Sequence, residues 1–96
     1  MTEKFNNVPV ENDTKIIFQQ EAKFGEYDVL YQKWSWDGLM AESVIFATED
    51  IAALNEEQIT NEVKSSPLVN TDSSITFKRD SSGYTFVNFN FNFNCD

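Results

Sequence analysis

The sequence predicts an α+β fold: a single antiparallel sheet of about five strands with one helix packed on it, in the order β-β-β-α-β-β. Three observations lead to this prediction. Runs with the two-residue alternation of strands occupy both halves of the 96-residue chain, and one aromatic-free stretch between them is rich in helix formers. The connections are short, which suits antiparallel neighbours. A chain of this length buries one core, so we expect a single domain over residues 1–96.

The first half of the chain predicts three consecutive strands. Residues 14–20 are dense in β-branched and aromatic side chains, and Gly25 supplies the turn that follows them. Residues 26–36 carry apolar side chains in both phases of the alternation, which is typical of a strand covered on both faces. The Asp-Gly pair at 37–38 indicates a type I′ hairpin, because both central residues of that turn need positive φ. Residues 39–47 are therefore the returning strand.

Residues 48–66 contain the predicted helix. Thr48 is placed as an N-cap before two acidic residues, and apolar side chains recur at steps of four, so that one side can lie on a sheet. A second interpretation divides the segment into a short turn at 48–53 and a helix that begins with Asn55 as its N-cap. The sequence does not decide between one helix and two, and Pro67 ends the helical segment in both.

The last third of the chain predicts two more strands. Residues 74–79 form the fourth, residues 80–83 the turn, and residues 84–94 the fifth. Strict alternation predicts that one face of the fifth strand carries Val87, Phe89, Phe91 and Phe93. Tyr84 and Phe86 fall in the opposite phase, so we predict either a bulge near Phe86 or a change in which face is covered there.

The predicted core collects apolar side chains from every element. It comprises Ile16, Phe18, Leu30, Val44, Phe46, Ile51, Ile59, Val63, Phe77, Phe89, Phe91 and Phe93. The asparagines of the last strand offer donors and acceptors for a sugar, but a half-buried strand is the simpler interpretation. Trp34 and Trp36 share a strand face. We interpret them as core or partner contacts rather than a stacking platform for bases or sugars, because a nucleic-acid platform normally comes with a positive groove.

Composition excludes most enzyme chemistry and direct binding of nucleic acid. The chain has no histidine and one cysteine, Cys95, so we expect no catalytic activity, no cofactor and no metal site. Sixteen acidic residues against seven basic ones give a net charge of −9, which repels phosphate backbones and anionic membranes. The chain has no apolar run of about 18 residues and its first residues are polar, so we expect a cytoplasmic protein.

The distribution of acidic residues is the remaining signal. Residues 48–66 hold five acids and one base. On one continuous helix these acids would lie about 4 Å apart, close to the ~3.4 Å spacing of phosphates along one strand of a duplex. Adjacent carboxylates on a helix diverge by about 100°, so we expect no cation site among them. The predicted partner-binding patch comprises Glu49, Asp50, Glu56, Glu57 and Glu62, with Asp37 and Glu42 as supporting charges. Glu26 and Asp28 extend it if they share its side, and an acidic face that only keeps the protein soluble is the alternative.

In its size, acidity, lack of catalytic residues and one-helix layout, the chain resembles the phage-encoded anti-CRISPR proteins, in particular the acidic ones that mimic DNA. The resemblance implies a stoichiometric inhibitor in the bacterial cytoplasm. Its partner would be the basic DNA-recognition surface of a CRISPR effector, a type I surveillance complex (Cascade) in preference to Cas9. An immunity protein that neutralises a basic toxin nuclease is the main alternative, and a plain structural or ligand-binding domain is the third.

Overall fold

One antiparallel sheet organises the chain. The computed structural model describes residues 3–10, 12–65, 75–79 and 82–93. The strands are β1 (Thr14–Phe24), β2 (Tyr27–Trp36), β3 (Leu39–Ala47), β4 (Thr76–Arg79) and β5 (Tyr84–Phe93), the helix α1 is Glu56–Ser65, and two 3₁₀ turns are Glu3–Phe5 and Thr48–Ile51. The spatial order is β1-β2-β3-β5-β4, with every neighbouring pair antiparallel. The predicted α+β class, with about five strands and one helix, is confirmed.

The two hairpins of the first half follow from their turn residues. Asp37 and Gly38 both have positive φ, 48° and 80°, as the predicted type I′ turn between β2 and β3 requires. Gly25, at φ 62°, turns the chain between β1 and β2. The first strand extends four residues beyond its predicted end, because residues 21–24 continue the ladder with β2. The fourth strand begins at Thr76, two residues after its predicted start.

Of the two interpretations of residues 48–66 that the sequence left open, the structure shows the divided one: a short turn and then a separate helix. The second 3₁₀ turn, Thr48–Ile51, is followed by Leu54, whose N–H donates to the Ile51 carbonyl at 3.0 Å. A new helix then starts from Asn55. The Gln58 N–H donates to the Asn55 carboxamide oxygen at 2.8 Å, and the Asn55 N–H donates to the Gln58 carboxamide oxygen at 3.0 Å. Thr48 does not cap a helix, because its hydroxyl bonds across to Thr85 at 2.8 Å.

Apolar side chains cover both faces of the sheet. On one face, here called the helix face, Ile59 and Val63 of α1 pack on a buried layer; its members from the sheet are Phe24, Val29, Val44, Phe46, Val87 and Phe89. On the opposite face, Phe5 from the first 3₁₀ turn packs with Leu30, Ile45 and Tyr84. The Tyr84 hydroxyl donates to the Lys4 carbonyl at 2.7 Å. The segment before β1 is therefore a second cover for the sheet.

Several core predictions need correction. Ile16 and Phe77 are half-buried, Phe18 and Phe91 are 49% and 41% exposed, and the side chain of Phe93 lies outside the described part of the structure. The other seven predicted core residues are buried. Large buried apolar side chains that the prediction did not include are Phe5, Phe24, Val29, Ile45, Tyr84 and Val87.

Two irregularities explain the exposed phenylalanines. The β1–β2 register shifts between Ile16 and Phe18, and Phe18 packs edge-on against Tyr31, 6.2 Å between ring centroids, near the sheet edge. In β5 the register shifts around Asn90, which has φ 56°. Residues 89–92 of β5 span the same length as residues 40–42 of β3, so β5 contains one extra residue there.

The bulge at Asn90 reverses the phase of the repeat. Phe89 pairs with Glu42 and faces the helix, whereas Phe91 turns to the other side of the sheet. The predicted common face for all four apolar residues is therefore wrong beyond Phe89. The predicted bulge near Phe86 is absent, because the β3–β5 register is regular there. The strand is instead covered on both faces: Tyr84 is buried on the opposite face of the sheet, and Val87 is buried on the helix face.

Candidate partner-binding surfaces

Five carboxylates gather where the β1–β2 turn and the C-terminal end of β3 share one end of the sheet. Lys4 lies near three of them and forms an ion pair with Asp50. The hydrogen bond to the Asp50 carboxylate is the main cause that raises the pKa of the Lys4 ammonium, and the charges of Asp50, Asp28 and Glu49 add to it. These three carboxylates therefore surround one lysine.

Glu62 and Glu26 complete this group. A Cβ placed on Gly25 would lie 3.8 Å from a carboxylate oxygen of Glu62, so α1 brings Glu62 to the β1–β2 turn, next to Glu26. We call the group the acidic end; it comprises Glu26, Asp28, Glu49, Asp50 and Glu62. Lys23 pairs with Asp28 at 3.2 Å, and with Lys4 it leaves three negative charges in excess.

The predicted patch is only partly brought together. Glu49, Asp50 and Glu62 belong to the acidic end, and Glu26 and Asp28 extend it from the hairpin. Glu56 and Glu57 are exposed in the first turn of α1. Because the acids occupy a 3₁₀ turn and a separate helix, the even spacing derived for one continuous helix does not apply.

The two supporting charges do not join the acidic end. Asp37 lies in the β2–β3 turn, at the other end of β3 from Glu49. Nine strand residues separate them, which at ~3.3 Å each is about 30 Å. Glu42 lies between these ends, on the helix face, and is half-buried. Neither residue contributes to a surface continuous with Glu49.

Glu42 has partners inside the molecule. It accepts a hydrogen bond from the Tyr31 hydroxyl and one from the Asn90 amide at 2.8 Å. Burial is the largest cause that raises the pKa of the Tyr31 phenol, and the hydrogen bond and charge of Glu42 raise it further. Glu42 therefore links β2, β3 and the β5 bulge, which is a structural role.

The two tryptophans lie outside the buried core. Both line a groove of about 440 Å³ on the opposite face of the sheet. The Trp34 indole N–H donates to the Ser43 hydroxyl at 2.7 Å, and Trp36 is 46% exposed. The groove is a second candidate surface, separate from the acidic end.

Two other kinds of site are absent from the described part of the structure. Across residues 3–10, 12–65, 75–79 and 82–93, no three acidic or cysteine side chains are grouped so that they hold a metal ion. No helix in those ranges has the length and apolar character needed to cross a membrane. Comparisons with protein-family profiles, with curated proteins and with solved structures found no match.

Proposed function

We propose that this protein is a stoichiometric inhibitor that binds, through its acidic end, the basic DNA-recognition surface of a CRISPR effector in the bacterial cytoplasm. A type I surveillance complex is the preferred target over Cas9. The observation that carries the proposal is the meeting of five carboxylates from the β1–β2 hairpin, the second 3₁₀ turn and α1 at one end of the sheet.

Three of these carboxylates are available to a partner. Glu26, Glu49 and Glu62 are exposed and have no ion-pair partner among the residues that the structure describes. They lie in a two-residue hairpin turn, a 3₁₀ turn and a helix rather than in a free tail, so little backbone entropy remains to be lost when they bind. Fixed carboxylates attract guanidinium and ammonium groups and displace the counterions that phosphates would displace.

The net charge of −9 also favours a basic protein surface as the partner. A body with this charge is repelled by nucleic acid and steered toward basic surfaces, most of which are nucleic-acid-binding channels. Binding in such a channel excludes DNA sterically and electrostatically without any catalytic group.

Charge removal at the two ends of the sheet tests the proposal. The variant Glu49→Gln/Glu62→Gln removes two charges from the acidic end. Its matched control, Asp13→Asn/Asp37→Asn, removes two from the opposite end, where both residues are exposed and have positive φ that asparagine tolerates. The readout is the concentration of protein that halves binding of labelled target DNA to a purified type I surveillance complex, with Cas9 in parallel.

We expect the concentration that halves DNA binding to rise at least about tenfold for the acidic-end variant, which corresponds to ~1.4 kcal/mol. For the control variant this concentration should change by less than about threefold. Inhibition by the parent protein should weaken as salt rises, because charge steering is screened. Absence of inhibition of both effectors refutes the proposal, and equal losses from the two variants remove the acidic end from the interface. Inhibition of a basic toxin nuclease instead would support the immunity-protein alternative.

A further inference from the structure

The groove on the opposite face has apolar walls. Its apolar lining comes from β2, β1 and the segment before β1: Trp34, Trp36, Ile16, Pro9 and Val10. Its volume of about 440 Å³ lies in the range of small-molecule sites, ~300–1,000 Å³. The Trp34 ring is held in place by the bond from its N–H to Ser43, so this wall is formed before any ligand arrives.

The floor of the groove is formed by Gln32, Ser43 and Asn88, which belong to a polar row that crosses the sheet. The row has one residue from each of four neighbouring strands, paired in register: Gln19 (β1), Gln32 (β2), Ser43 (β3) and Asn88 (β5). Gln32 donates from its amide nitrogen to Gln19 at 3.1 Å, and Ser43 donates to the Asn88 carboxamide oxygen. The row is thus internally ordered by side-chain hydrogen bonds.

Each amide that lines the groove uses only one of its two ends within this row. The carbonyl of Gln32 and the NH₂ of Asn88 have no hydrogen-bond partner within the described ranges. They lie two strands apart, about 10 Å by the usual spacing of ~4.8 Å. The floor therefore presents one acceptor and one donor to a ligand that spans it.

The lining is close to neutral although the protein is acidic. None of the described lining residues is acidic, and Lys78 is the one ionisable side chain among them, its ammonium 5.8 Å from the centroid of the Phe86 ring. This ammonium already occupies an aromatic face and repels a cationic ligand. The net charge of −9 repels a polyanion. The groove thus favours an uncharged ligand.

From this combination we infer that the groove is a binding site for a short neutral oligosaccharide. A sugar ring has an apolar C–H face that packs on an indole, and hydroxyls at its rim that both donate and accept hydrogen bonds. Trp34 and Trp36 offer two indoles about 7 Å apart along the strand. Gln32 and Asn88 then fix the orientation of the rings through the amide ends that the polar row does not use.

Tryptophan fluorescence is a direct assay, because both tryptophans of the chain line the groove. The probes are neutral hexasaccharides of glucose, mannose and N-acetylglucosamine, with adenosine and uridine as uncharged stacking ligands of another class. We expect at least one hexasaccharide to change the emission saturably with a Kd of about 1 mM or tighter.

Two variants and one control locate the binding. Trp36→Ala and Asn88→Ala should each weaken binding at least about tenfold. Phe18→Ala is the matched control, since Phe18 is 49% exposed against 46% for Trp36 but packs near Tyr31 on the helix face, and it should change the Kd less than about twofold. Circular dichroism checks that each variant is folded.

Lack of saturation with every hexasaccharide up to about 10 mM overturns the inference, as does binding of the nucleosides without the sugars. Equal weakening by Phe18→Ala also overturns it, because the ligand would then not be in the groove. The result is independent of the proposed inhibitor function: Glu49→Gln/Glu62→Gln should leave sugar binding unchanged.

Discussion

Truncating two phenylalanines of β5 one at a time tests the most consequential feature of the sheet, its bulge at Asn90. Phe89 is fully buried under α1, whereas Phe91, two residues further along, is 41% exposed on the other side of the sheet. Strict alternation would give Phe89→Ala and Phe91→Ala similar effects. The bulge predicts that they differ widely.

The expected magnitudes follow from burial. A fully buried phenylalanine contributes ~1.5–3 kcal/mol of transfer free energy, and its replacement by alanine in a closed core costs about 3–5 kcal/mol because a cavity remains. This is the expected loss for Phe89→Ala. Phe91 keeps about three-fifths of the transfer contribution, and its position opens to solvent, so no closed cavity remains and the expected loss is about 1–2 kcal/mol.

Urea unfolding followed by fluorescence measures both values, with the dependence on denaturant compared between variants to check two-state behaviour. The difference of ~2–3 kcal/mol corresponds to about 10–20 °C in melting temperature for a domain of this size. If Phe89→Ala does not fold, Phe89→Leu against Phe91→Leu gives the same ranking on a smaller scale. Equal losses at the two positions would mean that both rings share one face and that β5 has no bulge.

Two further predictions concern local bonds. Asn55→Ala removes the side chain that caps α1 and should lower the free energy of unfolding by about 1 kcal/mol, measured by denaturation together with helical circular dichroism. Gln58→Ala should also reduce stability, because Gln58 is the other half of the cap. If Asn55→Ala reduces the helical signal and Gln58→Ala leaves it unchanged, the paired cap is contradicted. Ultraviolet titration should show that the Tyr31 phenol ionises well above the ordinary pKa of 10.0. Because its folded-state pKa is raised, this phenol stabilises the fold below about pH 10 and the contribution is lost as the pH rises through the raised value. Glu42→Gln should move that ionisation only part of the way back, since burial is the larger cause, and an unchanged titration would exclude the Tyr31–Glu42 bond.

The regular part of the fold was predictable because local chemistry determines it. The third strand has its predicted bounds, 39–47, since an Asp-Gly turn precedes it and a change to helix formers follows it. The bulges were not predictable in the same way, because a bulge depends on how a neighbouring strand pairs. Asn90 tolerates positive φ, but the repeat offers an asparagine at every second position, and only the register with β3 distinguishes this one.

The composition of the acidic end was partly predictable from topology. In a meander of three antiparallel strands, the first turn and the end of the third strand lie at one end of the sheet, which brings Glu26 and Asp28 to Glu49 and sends Asp37 to the other end. Charge density counted along the chain does not reflect this arrangement, because it ignores which ends of the strands meet. The Lys4–Asp50 pair had no local signal, since 46 residues separate its members.

The acidic end and the groove are far enough apart to act independently. Asp28 and Trp36 lie near opposite ends of β2, eight residues apart, which is about 26 Å at ~3.3 Å per residue. The Debye length at physiological ionic strength is ~8 Å, so exposed charges at the acidic end are almost fully screened at the groove. Binding through the two surfaces should therefore respond differently to salt: association of a basic partner weakens as salt rises, whereas a neutral ligand that packs on Trp36 and bonds to Asn88 keeps its affinity. A salt series thus assigns any ligand to one surface before a single residue is changed.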